Sequence, residues 1–193
     1  MSNHIKIGVY IPHGAQLLDV ATIDVLGVMS KEYFSALSPD LVPPQLKVAV
    51  PDVTIYYIAT PSTGVGGNIP LTSGATLKAT HTYADDEVAP GKLDIVMVPG
   101  PDPSIEHDEG GLVWLRRQSE TEGVDILSVC TGLYICAAAG FVDGKKASGP
   151  RGVQDDLRKK FPNVKLVGDN LRYVQDGNFW SSGMCDPRLQ RVC

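Results

Sequence analysis

The sequence has no apolar run near the roughly 20 residues that a membrane-spanning helix requires; its cleanest apolar stretches, around 7–11 and 94–98, are far shorter. Met1-Ser2-Asn3-His4 offers no basic segment followed by an apolar one, so no secretory leader is expected. Positive charge is also short: 17 Lys and Arg stand against 22 Asp and Glu, a net charge of −5. No general positive field exists to hold phosphate backbones or anionic lipid, which argues against nucleic-acid and membrane-surface partners. The four cysteines, at 130, 136, 185 and 193, include no C-x-x-C pair. A disulfide framework and a zinc site are therefore not expected, and the thiols read as reduced in a cytoplasmic compartment. Gly64-Val65-Gly66-Gly67 lacks the G-x-G-x-x-G spacing of a phosphate cradle, and Glu106-His107-Asp108-Glu109 are contiguous and cannot all converge on one cation. Neither a cofactor nor a metal is called for. Internal repeats and low-complexity segments are missing as well.

What is present is enough for one core: 193 residues, 43% of them hydrophobic. Short β-branched runs over 5–11, 93–98 and 125–129 read as buried strands, each closed by a turn signal. From position 17 the period changes. Leu18, Ala21, Val25, Val28 and Met29 recur at helical spacing and predict an amphipathic helix of about five turns. Strands are expected over 46–50 and 54–60, an irregular hairpin over 71–83, and a helix over 111–119. The run 133–139 is apolar on all sides and reads as a buried helix capped by Gly140. Ser148-Gly149-Pro150 opens another helix, with Asp155–Lys159 and Asp156–Lys160 as surface pairs. A further strand over 164–167 and a hairpin over 171–182 around Asp176-Gly177 follow. Strands alternating with helices imply an α/β fold with a mostly parallel sheet covered on both faces and a C-terminal hairpin.

The informative motif is Ser128-Val129-Cys130-Thr131-Gly132. A strand that turns abruptly into a helix brings two backbone segments together, so small residues are needed two before and two after the turning residue. This is the spacing of a nucleophile elbow, with cysteine at its apex. The turn sets the sulfur at a helix N-terminus, where the dipole favours thiolate. The competing reading of Cys130 is a small buried hydrophobe, and Cys136 fits that description better. Ligand crevices in open α/β sheets lie beyond the carboxyl ends of the strands, so three loops should meet: 12–18, 99–102 and the elbow. Asp19 stands in the first helical turn after the first loop, either as a site acid or as a carboxylate complementing the dipole. His81 and Tyr83 in Thr80-His81-Thr82-Tyr83 are candidates for lining the crevice, with ordinary packing as the alternative.

VPGP at 98–101, SVCTG at 128–132 followed by AAAGFVDGKKAS, and GAQLLDVATIDVLG at 14–27 together resemble the DJ-1/PfpI superfamily, within the class I glutamine amidotransferase-like group. The likeness is greatest to its isonitrile hydratase-like branch and covers residues 5 to about 183. It implies a flavodoxin-like three-layer sandwich, a homodimer, a small-molecule substrate, Cys130 as nucleophile and Asp19 as the carboxylate beside it. In the isonitrile-hydrating branch, thiolate attack on the isonitrile carbon gives a thioimidate, the acid handles the proton, and water releases an N-formyl amide. Members with glyoxalase or chaperone-like activity usually carry Glu at the acid position, so Asp19 favours the hydratase-like branch. The alternative is a non-catalytic or degenerate member whose Cys130 senses oxidants or electrophiles.

Three departures from the pattern bear on this expectation. Where the family often has Thr-His after DGKKA, the sequence reads Ser148-Gly149-Pro150-Arg151, which disfavours a histidine-dependent hydrolase. P-G-G becomes Pro99-Gly100-Pro101, and proline has no N–H to donate to a developing negative charge; backbone donors are then expected from Gly100 and Thr131. Finally, 184–193, MCDPRLQRVC, replaces the Gly-rich turn and long helix of the family. The expected organisation is one domain over 1–183 with an atypical tail over 184–193. Part of one sheet face near the elbow strand should then be left with exposed apolar side chains.

Overall fold

A computed structural model describes residues 4–38 and 40–183 of the chain; the tail over 184–193 lies outside the described residues. Strand β1 (His4–Tyr10) is followed by three short helices, α1 (Leu17–Val20), α2 (Thr22–Gly27) and α3 (Lys31–Ala36). Helix α4 (Pro44–Ala49) leads to β2 (Asp52–Ala59), a small antiparallel pair β3 (Asn68–Pro70) and β4 (Thr76–Lys78), and β5 (His81–Thr82). Next come β6 (Ile95–Val98), α5 (Glu109–Glu120), β7 (Asp125–Val129) and α6 (Gly132–Ala138). The chain continues through β8 (Lys146–Ala147), α7 (Gln154–Lys160), β9 (Lys165–Leu166) and the hairpin β10 (Tyr173–Asp176) and β11 (Phe179–Ser182).

The main sheet has seven strands in the order β10-β11-β7-β6-β1-β2-β5. Every pairing is parallel except the terminal hairpin, which turns at Gly177 in the left-handed region (φ 64°). The order places β1 in the interior: the chain first builds outward through β2 and β5, then returns to β6 and builds the other way. Such a reversal leaves a crevice at the carboxyl ends of β1 and β6, because their outgoing loops diverge to opposite sides. The fold is the expected flavodoxin-like α/β sandwich.

Alternation along the strands divides the core in two. Tyr10, Ile58, Val96, Val98, Ile126 and Phe179 face α5, α6 and α7 and pack with Trp114, Leu115, Leu133 and Leu157. Ile7, Val9, Ala59, Met97 and Val129 face the opposite side and pack with Val20 and Ile23. Trp114 Nε1 and Gln118 Nε2 both donate to the Val88 carbonyl (3.0 and 2.8 Å), so the buried face of α5 leaves neither donor unsatisfied.

Two elements differ from the sequence expectation. The single helix expected over 17–29 is broken into α1 and α2, and Leu18, Val25 and Met29 are exposed, while Asp19, Val20 and Ile23 are buried. The face turned to the sheet is therefore the one that carries Asp19, held there by partners described below. The strand expected over 46–50 is helix α4; Pro44 occupies its first turn, where a missing N–H costs nothing. On α7, Asp156 pairs with Lys160 as expected (3.1 Å), but Asp155 pairs with Arg158 rather than Lys159 (2.8 Å).

The sheet face expected to be bare is open among the described residues. Ile95, Leu127, Val129, Tyr173 and Trp180 line a groove of about 350 Å³ across β6, β7, β11 and β10. Tyr173 is 72% and Trp180 38% exposed.

Candidate active site

Cys130 sits at the junction of β7 and α6 with φ 57°, the one non-glycine residue with positive φ among those described. A residue with a Cβ held in the left-handed region costs of order 1–3 kcal/mol, which the surrounding contacts must overcome. Those contacts are tight. A Cβ at Gly132 would collide with the Val98 carbonyl oxygen, so only glycine lets α6 start against the end of β6. Ser128 is buried. The amide of Cys130 donates to the Ser182 carbonyl (2.8 Å), tying the elbow to β11. Gly132 thus serves the close approach that its spacing from Cys130 implies.

The three loops do meet. Gln16, at the N-cap of α1, donates its backbone N–H to the Gly100 carbonyl (3.1 Å), joining the loop after β1 to the loop after β6. The Thr131 hydroxyl donates to the Pro101 carbonyl (2.7 Å), joining that second loop to the elbow. Gly100 is squeezed between them: an added Cβ would overlap an Asp19 carboxylate oxygen and come within 2.5 Å of Thr131 Oγ1.

Asp19 is 1% exposed. Its Oδ2 accepts from Gly100 N–H at 3.2 Å, and its carboxyl is hydrogen-bonded to the Cys130 thiol. Burial raises its pKa from 3.8 to about 6, and the hydrogen bonds from Cys130 and Gly100 restrain that rise. A carboxyl with this pKa, touching a thiol, can take the thiol proton and return it near neutral pH. By contrast, Cys136 is fully buried and its thiol is pushed up to about 12, as suits a core residue.

Gly100 N–H, expected as a donor to a developing negative charge, is directed at Asp19 instead. Position 101 has no N–H to add. His81 and Tyr83 are tied to other partners. His81 packs edge-on against Tyr56 (4.7 Å between centroids), accepts or donates at Thr80 Oγ1 (3.0 Å) and approaches Glu87 (3.4 Å). Tyr83 donates to Asp108 Oδ2 (2.5 Å), the residue that caps α5 by accepting from Gly111 N–H (2.9 Å).

Sequence reasoning missed Gln16. Its Nε2 approaches Cys130 Sγ at 3.8 Å, within reach for a hydrogen bond to sulfur. Its position three residues before Asp19, on the same short turn, is the signal that could have drawn attention to it. The loop after β1 also walls a cavity of about 230 Å³ lined by His13, Ala15, Pro70, Leu71, Asp102 and Ile105, among others. Gln16, Asp19, Gly100, Cys130 and Thr131 are not part of its lining.

Comparison with known proteins agrees with this architecture. The sequence pattern of the DJ-1/PfpI family matches residues 42–189, and the chain belongs to that family. An isonitrile hydratase from Pseudomonas putida is 32% identical over 146 residues, 73% of this chain and 57% of that enzyme. The deglycase PfpI of Pyrococcus furiosus is 31% identical over 127 residues, 65% of this chain and 71% of that protein. The chain therefore spans less than two thirds of the length of the isonitrile hydratase. Among solved structures, Schizosaccharomyces pombe DJ-1 superposes with a TM-score of 0.66 at 13% identity, covering 98% of this chain and 92% of that one. Drosophila melanogaster DJ-1beta gives 0.62 at 19%, covering 95% and 82%. The hydratase and the deglycase are enzymes, and the fold is that of the DJ-1 structures.

Proposed function

We propose that the protein is a cysteine-dependent enzyme acting on a small, largely apolar molecule, and that its reaction is hydration of an isonitrile to an N-formyl amide. The observation that carries this reading is the contact between the Asp19 carboxyl and the Cys130 thiol, with Gly100 N–H given to the acid rather than left for substrate. Attack on a carbonyl builds negative charge on oxygen and needs donors aimed at it. Attack on an isonitrile builds charge on the terminal carbon, which needs a proton. A thiol–acid pair lacking the second loop donor suits the latter.

In the proposed sequence the Asp19 carboxylate takes the thiol proton and Cys130 Sγ bonds to the isonitrile carbon. Asp19 returns the proton to that carbon, giving a thioimidate, R–N=CH–S. Water then adds to the same carbon, the C–S bond breaks, and the thiol is restored with R–NH–CHO released. The sum is isonitrile plus water, with no oxidant or reductant. Asp rather than Glu at position 19 supports the hydratase-like reading over that of the deglycase relatives. A homodimer in the cytoplasm completes the proposal; its dimeric part is supported by the exposed apolar side chains Leu18 on α1, Val25 on α2 and Met29 in the turn that follows.

A panel of alkyl and aryl isonitriles tests the reading. Formamide product from the wild type and none from Cys130→Ala is the expected result. Stoichiometric conversion of Cys130 to the sulfinic acid under mild peroxide, with no turnover of any isonitrile, would favour the sensing role instead.

A further inference from the structure

The corner around Cys130 holds a polar side chain, Gln16, that approaches the sulfur and that the thiol–acid mechanism does not use. Gln16 is partly buried, and its carboxamide Nε2 lies 3.8 Å from Cys130 Sγ across 114 residues of sequence. Its position is fixed from the backbone: the Gln16 N–H is held by the Gly100 carbonyl at 3.1 Å, and Gln16 occupies the N-cap position of α1, the turn that delivers Asp19, with its side chain not spent on a capping bond. Asp19 and Gln16 thus reach the same sulfur from one turn of chain with complementary capacities. The carboxylate is an acceptor that can hold the proton of the thiol, whereas an amide nitrogen is a donor that bonds a thiol sulfur weakly and a thiolate more strongly. A thiolate left beside an ionised carboxylate would be repelled, and a donor on its other side offsets that repulsion.

We propose that Gln16 is the positioning residue that stabilises the Cys130 thiolate, supplying from a side chain the donor that the Pro99-Gly100-Pro101 loop withholds. The loop cannot serve: Gly100 N–H is engaged by Asp19 and Pro101 has none. The inference deepens the thiol–acid reading, since it concerns the same sulfur, but it requires only that Cys130 be ionisable and no particular substrate.

The test is site-resolved alkylation of Cys130 by iodoacetamide as a function of pH, followed by mass mapping of the peptide that contains it. Hydrogen bonds to charged groups are worth enough to change an ionisation equilibrium by about tenfold or more. Gln16→Leu is expected to lower the alkylation rate near neutral pH about tenfold and to move its midpoint to higher pH. Gln16→Glu keeps the shape but removes the donor and adds negative charge, and should move the midpoint at least as far. An unchanged thermal midpoint in Gln16→Glu separates this effect from misfolding. Superimposable profiles for the wild type and a folded Gln16→Glu protein would overturn the proposal. Failure of isonitrile turnover with a shifted Gln16 profile would count against the substrate reading alone.

Discussion

Strand β7 is finished in opposite ways along its length. At its carboxyl end, Cys130 is held at φ 57° where neither Gly100 nor Gly132 has room for a Cβ. One residue before the buried Ser128, Leu127 faces a groove whose far wall, Trp180 and Tyr173, is open to solvent among the described residues. The first region is built from backbone approach and directed hydrogen bonds, so it tolerates almost no added atom. The second is held by apolar area alone, and many side chains would serve. Geometry that matters for chemistry is over-determined, while an apolar face asks only to be covered.

The sharpest way to break this comparison is to add one carbon at the tight end. Gly132→Ala places a Cβ on the Val98 carbonyl and should cost about 3–5 kcal/mol, at the upper end of single substitutions. Urea denaturation would read it as a large fall in midpoint with an unchanged slope.

A smaller effect of opposite sign is expected at Asp19. Its folded pKa, about 6, lies above the ordinary 3.8, so the folded state prefers the protonated acid. The favourable contribution is fully present below pH 3.8 and is lost as pH rises through 6, where an ionised carboxylate is buried. Asp19→Asn should therefore be more stable than the wild type at pH 7.5, by up to about 3 kcal/mol, with the advantage fading between pH 6 and 4. It should also be far less active. A stability difference independent of pH across that window would show that Asp19 is not the buried acid described here.

The smallest effect on stability belongs to the open face. Replacing Leu127 and Trp180 by lysine should change the denaturation midpoint by about 1 kcal/mol or less. It should reduce binding of an apolar dye and any concentration-dependent self-association. A large loss of stability would mean that the face is covered in solution.

The nearly continuous apolar runs of β1, β6 and β7 were legible because strands buried on both faces need little else. The elbow was legible because close backbone approach restricts residue size at fixed offsets from Cys130. The inward face of 17–29 was not: Leu18, Val25 and Met29 mimic a core stripe, whereas the true inward face carries a carboxyl held by Gly100 and Cys130. Hydrophobic periodicity has no means of anticipating a carboxyl turned inward by partners 81 residues or more away. The run 46–50 looks like a strand by its residues, but Pro43-Pro44 starts a helix there. Gln16 escaped notice because its one signal, a place three residues before Asp19 on the same turn, gains meaning only once that turn is seen to meet the sulfur on another loop.

In the proposed reaction Cys130 adds to an isonitrile carbon while Asp19 manages the proton. An addition expels no leaving group. Rapid acid quench of the protein with an isonitrile, followed by mass analysis of the peptide carrying Ser128 to Gly132, therefore tests it most directly. The expected result is a transient adduct on Cys130 whose mass gain equals the whole isonitrile, formed much more slowly in Asp19→Asn. No adduct at any quench time, in a protein whose Cys130 still alkylates with iodoacetamide, would contradict it.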